Sequence, residues 1–284
     1  MEYTTLSNGL RLPLVGFGVF QVPDAAQCEA AVLTALENGY RLIDTAENYL
    51  NEEAVGSAVK KSGLPRSEVF ITTKLWIDHY GEQKSVDAVH RALERMGTDY
   101  IDLILLHQSL GDYYSAWRGL TRLYREGVVK AIGVSNFYPE RLTDLCMHAA
   151  IRPMVNQIEC HPYFQRQTDL ECAQHFGVQL EAWGPFAEGG RGIFTDPVLT
   201  KIAAAHGKST AQVMLRWAVQ RRVIVLPKSV HADRIKVNID IFDFALTDAE
   251  MQQIAALDTG HTEIIDHLNW HTTEFLNNIK GRQD

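Results

Sequence analysis

Apolar residues along this chain alternate between two periods. Runs such as IDLILL at 101–106 and VIVL at 223–226 are almost continuously aliphatic, which suits strands buried on both faces. Other segments set apolar residues three and four apart, as at Ala31, Val32, Ala35 and Leu36, or at Ala54, Val55, Ala58 and Val59, the spacing of one helix face. Strand-like runs fall at 15–20, 41–45, 69–74, 101–106, 128–134, 154–159, 178–183 and 223–227. Most are separated by one amphipathic segment that ends on a stop signal such as Gly39, Gly63, Gly97, Gly127 or Gly177.

Strand and helix alternating in this way predict an α/β fold, an eight-stranded (β/α)8 TIM barrel occupying residues 1–284 as one domain. The gap before the last strand holds two predicted helices, 196–205 and 210–221, so one is additional to the alternation. A further helix over 248–257 follows Thr247 in a T-D-A-E capping box. At the start, Asn8-Gly9 between two short alternating segments predicts an N-terminal β-hairpin with a primed turn, lying as a lid. An open doubly wound sheet is the alternative. It calls for a GxGxxG turn after the first strand, and Gly16-Phe17-Gly18 has no third glycine.

Composition narrows the possible partners. A net charge of −8 and a pI near 5.8 argue against nucleic acid, whose phosphates need a basic surface. No stretch is long and apolar enough for a bilayer and the N-terminus has no signal-peptide core, so a cytoplasmic protein with no membrane partner is expected. Cys28, Cys146, Cys160 and Cys172 lack paired spacing and read as small buried hydrophobes.

In a barrel, chemistry gathers at the C-terminal ends of the strands. Those positions carry Asp44, Lys74, His107, Ser135 with Asn136, Gln157, Trp183 and Lys228, and Tyr49 lies in the loop after Asp44. If Asp44, Tyr49, Lys74 and His107 converge, Tyr49 serves as a general acid. The Lys74 ammonium would lower its pKa from the usual value of about 10, Asp44 would keep Lys74 charged, and His107 would orient a substrate oxygen. That set suits protonation of a carbonyl oxygen while hydride reaches the carbon. Metal-assisted hydrolysis through Asp44 and His107 is the competing chemistry, but a protonated lysine among the ligands would repel a cation. Zinc on Cys160, His161, Cys172 and His175 is disfavoured by their irregular spacing; no metal is expected.

A hydride donor needs a site. Lys228, Ser229 and Arg234 around a helix start suit a phosphate monoester, which points to NADPH. Ser135, Asn136 and Gln157 have the groups to hold a carboxamide, and Trp183 offers a flat surface for a nicotinamide. The glycine-rich AEGGRGIF at 187–194 is placed to fold over a pyrophosphate.

Taken in order, the signature at 39–56, then TKLW, LLHQ, GVSNF, VNQIECHP, AWGPF and PKSVHADRI, resemble the aldo-keto reductases over essentially the whole chain. The short loops after the fourth and seventh strands resemble bacterial members of the 2,5-diketo-D-gluconate reductase type. The resemblance implies extended NADPH on a (β/α)8 barrel, Tyr49 as acid supported by Asp44 and Lys74, and His107 orienting the carbonyl. It further implies a carboxamide held by Ser135, Asn136 and Gln157, Trp183 stacking, a 2′-phosphate met by Lys228, Ser229 and Arg234, and Asn238 near adenine. Phe20 and Gln108 take the place of pocket residues that are often Trp, and Val237 replaces a usual Glu. The implied activity is NADPH-dependent reduction of small or sugar-derived carbonyls by a monomer; the alternative is a cofactor-binding barrel with little turnover. The segment 258–284, with His261, His267, Trp270 and His271, is expected over the barrel mouth.

Overall fold

The computed structural model describes residues 1–282; the last two positions of the expected domain lie outside the described residues. Eight parallel strands follow one another in chain order around one sheet: β3 (Phe17–Gly18), β4 (Leu42–Asp44), β5 (Phe70–Leu75), β6 (Leu103–Leu106), β7 (Ile132–Ser135), β8 (Val155–Glu159), β9 (Gln179–Trp183) and β10 (Ile224–Val225). The ring closes beside β3. Val15 bridges Val225 in parallel, and the Gly16 and Gly18 amides donate to Val225 and Pro227 at 2.9 and 3.1 Å. Closure removes the exposed sheet edges, as a barrel requires.

The expected helices are present: α1 (Ala25–Glu37), α2 (Glu52–Lys61), α3 (Glu82–Met96), α4 (Tyr113–Glu126), α5 (Pro139–His148) and α6 (Gln167–Phe176) follow successive strands. Their inward residues, such as Ala31, Val32, Ala35 and Leu36 on α1, are buried. Both α7 (Pro197–His206) and α8 (Thr210–Gln220) precede β10; α9 (Ala232–Ile239) and α10 (Asp248–Ala255) follow it. The Thr247 and Glu250 capping box on α10 is formed in full.

The N-terminal hairpin departs from expectation in its turn. β1 (Tyr3–Thr5) and β2 (Arg11–Pro13) pair antiparallel, but Leu6 N donates to Leu10 O and Gly9 N to Leu6 O, leaving a three-residue loop in which Gly9 takes φ +85°. Asn8, though exposed, reaches across to donate to the Lys130 carbonyl at 3.0 Å, which removes it from a two-residue primed turn. The hairpin does lie as a lid, but over the N-terminal ends of the strands. Asn8 meets Lys130, ahead of β7, and Thr4 meets Gln179 at the start of β9, so it plugs the barrel's N-terminal end, opposite the candidate site.

The segment after α10 crosses the other end. It is tied to Glu159 through Thr262 and Glu263, then forms α11 (Trp270–Asn278). At its far side the Ile279 carbonyl accepts from Trp76 at 3.0 Å, Gly281 N donates to Asp78, and Arg282 pairs with Glu53. Ties to the ends of β5 and β8 place this segment across the mouth. Among the described residues no helix is long and apolar enough to cross a membrane.

Candidate active site

β4 delivers Asp44 and β5 delivers Lys74 to the same end of the barrel, both buried. The Lys74 ammonium gives its three donor directions to Asp44 Oδ1 at 2.6 Å, the Thr45 carbonyl at 2.8 Å and the Tyr49 hydroxyl at 3.5 Å. Burial by itself disfavours the charged lysine, but the neighbouring Asp44 and Tyr49 outweigh it and hold its pKa above the ordinary value. Lys74 is therefore a cation. Tyr49 sits at the end of a short 3-10 turn, Glu47–Tyr49. Buried Glu47 fastens that turn by accepting from the Trp76 amide and contacting His79 at 2.9 Å.

His107 follows β6, with its ring 5.8 Å from that of Tyr49 and 5.0 Å from that of Trp76, perpendicular to the latter. Burial, aided by the Lys74 charge, pushes its pKa well below the usual histidine value, so the ring is neutral. Its Nδ1 is buried without a hydrogen-bond partner, a polar atom left for something that enters the pocket. Asp44, Tyr49, Lys74 and His107 thus converge as the sequence predicts. One electrostatic expectation is corrected. Burial pushes the Tyr49 phenol up, and the Lys74 ammonium, opposed by Asp44, does not bring it down to the ordinary value. Tyr49 remains a protonated donor.

A second cluster lines the adjoining strands. Ser135 Oγ donates to the Gln157 carbonyl at 2.9 Å, Asn136 Nδ2 donates to the His107 carbonyl at 3.0 Å, and Trp183 Nε1 donates to Asn136 Oδ1 at 2.9 Å. Asn136 adopts φ 61°, a left-handed conformation that asparagine tolerates better than most residues. These bonds fix Trp183 edge-on to Asn136 and leave the faces of its indole as the flat surface of the site. Lys228 and Arg234 are exposed on either side of the α9 start, and neither has an ion-pair partner among the described residues. Ser229 is buried and caps the turn by accepting from His231 N at 3.1 Å; Asn238 is buried on α9. In an acidic chain, two unneutralised cations beside a helix start fit an anionic phosphate.

Phe20 lies 5.0 Å from the Tyr49 ring and is 47% exposed, at the rim. Gln108 is buried, its backbone clasped by Tyr80, and its Oε1 has no partner. Cys160, His161, Cys172 and His175 do not gather: Cys160 contacts the Gln165 carbonyl, His161 pairs with Glu159, Cys172 contacts Thr143 and His175 meets Phe176 edge to face.

Three further contributors have no role read from the sequence, although His267 lies in the segment expected over the mouth. Trp76 closes the TKLW run, two positions after Lys74. His267, on the crossing segment, packs its ring 6.4 Å from Trp183, with neither nitrogen partnered. Glu181 is fully buried on β9 and accepts from Gln157 Nε2 at 2.5 Å. It stands two residues before Trp183, on the same side of the strand, a parity that would have flagged it.

The family model for the aldo/keto reductase family matches residues 15–259. The chain belongs to that family. It is 45% identical to a glyoxal reductase of Bacillus subtilis, covering 89% of this chain and 91% of the relative. It is also 44% identical to a morphine 6-dehydrogenase of Pseudomonas putida over 90% of each. Among solved structures, an aldo-keto reductase of Bombyx mori in complex with NADP superimposes with a TM-score of 0.90 at 34% identity, covering 95% of this chain and 96% of that one.

Proposed function

We propose that this aldo-keto reductase reduces small or sugar-derived aldehydes and ketones to alcohols with NADPH. The observation that carries the reading is the buried Lys74 ammonium shared between Asp44 and the Tyr49 hydroxyl, with neutral His107 beside that phenol. Relatives named as reductase and dehydrogenase, and a structural neighbour solved with NADP, support it.

NADPH supplies the hydride when bound. Lys228, Ser229 and Arg234 would hold its 2′-phosphate, Asn238 its adenine, Ser135, Asn136 and Gln157 its carboxamide, and Trp183 its ring. The protein's own residues do the rest. A carbonyl entering past Phe20 and Gln108 accepts hydrogen bonds from the Tyr49 hydroxyl and from the nitrogen of neutral His107 that bears hydrogen. As negative charge grows on that oxygen, Tyr49 gives up its proton. Lys74, kept charged by Asp44, steadies the phenolate that remains. General acid assistance of this kind contributes about 10² to 10⁴ in rate.

On the same reading the chain works as one domain and as a cytoplasmic monomer. The four cysteines are free thiols, which fits a reducing compartment. The test is a titration with NADPH and NADH followed by tryptophan fluorescence, then a panel of small aldehydes, diketones and keto-sugars monitored by NADPH absorbance. Oxidation on some of these carbonyls is expected; binding with no turnover on any would favour a non-catalytic barrel.

A further inference from the structure

Gln157 sits between two buried carboxyl groups. Its Nε2 is 2.8 Å from Asp44 Oδ2 and 2.5 Å from Glu181 Oε1. Gln157 and Glu181 are directly paired in the β8–β9 register, so their side chains leave the sheet on the same face. A glutamine amide has two N–H donors and one carbonyl acceptor. Both donors are therefore committed inward, one to each acid, and the amide oxygen is the group left to face a ligand.

We propose that Glu181 is a positioning residue: by taking the second amide proton of Gln157 it locks the amide in one of its two flips, so that Gln157 presents an acceptor to the NH₂ of the cofactor's carboxamide. The inference rests on the cofactor site described above. With Asp44 alone as acceptor, the second N–H of the amide would have no inward partner, and the side chain could rotate to present that donor instead. That would meet another donor and be repulsive.

The charge state of Glu181 is consistent with this role. Burial, reinforced by the charge of Asp44, outweighs the hydrogen bond from Gln157 and the attraction of Lys74, and pushes its carboxyl up to about 8. The groups facing it are Gln157 from β8, Asp44 from β4 and Lys74 from β5, with Ile224 opposite on β10. As a neutral acid it still accepts through Oε1, while its buried, unpartnered Oε2 carries no charge that would need solvation.

The experiment compares two probes: NADPH, and 2′-phospho-ADP-ribose, which lacks the nicotinamide. Glu181→Leu is expected to weaken NADPH about tenfold and leave 2′-phospho-ADP-ribose within about twofold. Glu181→Gln keeps an acceptor at the same place and is expected to retain NADPH binding. Should the leucine variant not fold, Glu181→Ala supplies the same comparison. Equal losses for both probes would indicate a merely structural role and overturn the proposal, as would unchanged NADPH binding in Glu181→Leu. Failure of the unaltered protein to bind either probe would overturn the cofactor site itself and the proposal with it; binding of both by the unaltered protein separates the two cases.

Discussion

The Lys74 ammonium lies 2.6 Å from the Asp44 carboxylate where β5 and β4 end, with both side chains removed from solvent. Taking one partner away strands the other as a buried charge. Asp44→Asn is expected to destabilise the fold by about 3–5 kcal/mol, measured by urea unfolding. Combining it with Lys74→Met should cost less than the sum of the two single changes, because the pair leaves together. Strict additivity would show that the two groups do not depend on each other.

Cofactor choice is predicted to rest on Lys228 and Arg234, the exposed cations around α9 that no carboxylate neutralises among the described residues. Replacing either with Ala should weaken NADPH about 10- to 100-fold, the range of a lost charge-assisted contact. NADH, without the extra phosphate, should change little. Equal losses in fluorescence titrations with the two cofactors would remove the assignment.

Acid is expected to release the segment that crosses the mouth. Burial raises the Glu159 carboxyl, but hydrogen bonds from His161, Thr262 and Glu263 N outweigh it and hold its pKa below the ordinary glutamate value. A lowered folded-state value means the stabilisation is complete above the unfolded pKa of about 4.3 and is lost as pH falls through the folded one. The protection of the Glu263 and Ile265 amides, taken relative to the intrinsic exchange rate at each pH, should therefore be high at pH 7 and fall selectively in acid before the barrel unfolds. At neutral pH, Glu159→Gln should reproduce the change. Exchange that is the same in both proteins would contradict this anchoring.

Helix packing supplies a prediction independent of the chemistry. A Cβ built on Gly56 of α2 would lie 2.0 Å from the Met96 carbonyl oxygen at the end of α3, and backbone cannot yield as a flexible side chain does. Gly56→Ala is expected to cost about 1–3 kcal/mol despite alanine's better helix propensity. A thermal midpoint unchanged from that of the unaltered protein would show that the helices are free to separate.

The barrel was legible because each strand is a short aliphatic run and each helix a 3.6-period face, and closure follows from counting eight. Asp44, Lys74, His107 and Gln157 were legible as polar residues at the ends of apolar runs. What the sequence concealed depends on contacts between distant positions. Asn8-Gly9 carries the signal of a two-residue turn, yet Asn8 bonds to Lys130, which local spacing does not encode. The effect of Lys74 on Tyr49 was expected from charge alone, whereas burial decides the direction. The packing of His267 beside Trp183 depends on the path of the C-terminal segment, whose ties to Glu159 and Asp78 are likewise long-range.

The central claim is that the Tyr49 hydroxyl delivers the proton. The decisive measurement is the turnover of Tyr49→Phe alongside its affinity for NADPH, because the substitution removes the hydroxyl while leaving the ring against Phe20 and His107. The expected result is unaltered NADPH binding with carbonyl reduction slowed about 10² to 10⁴-fold. Binding and turnover both equal to those of the unaltered protein would contradict it.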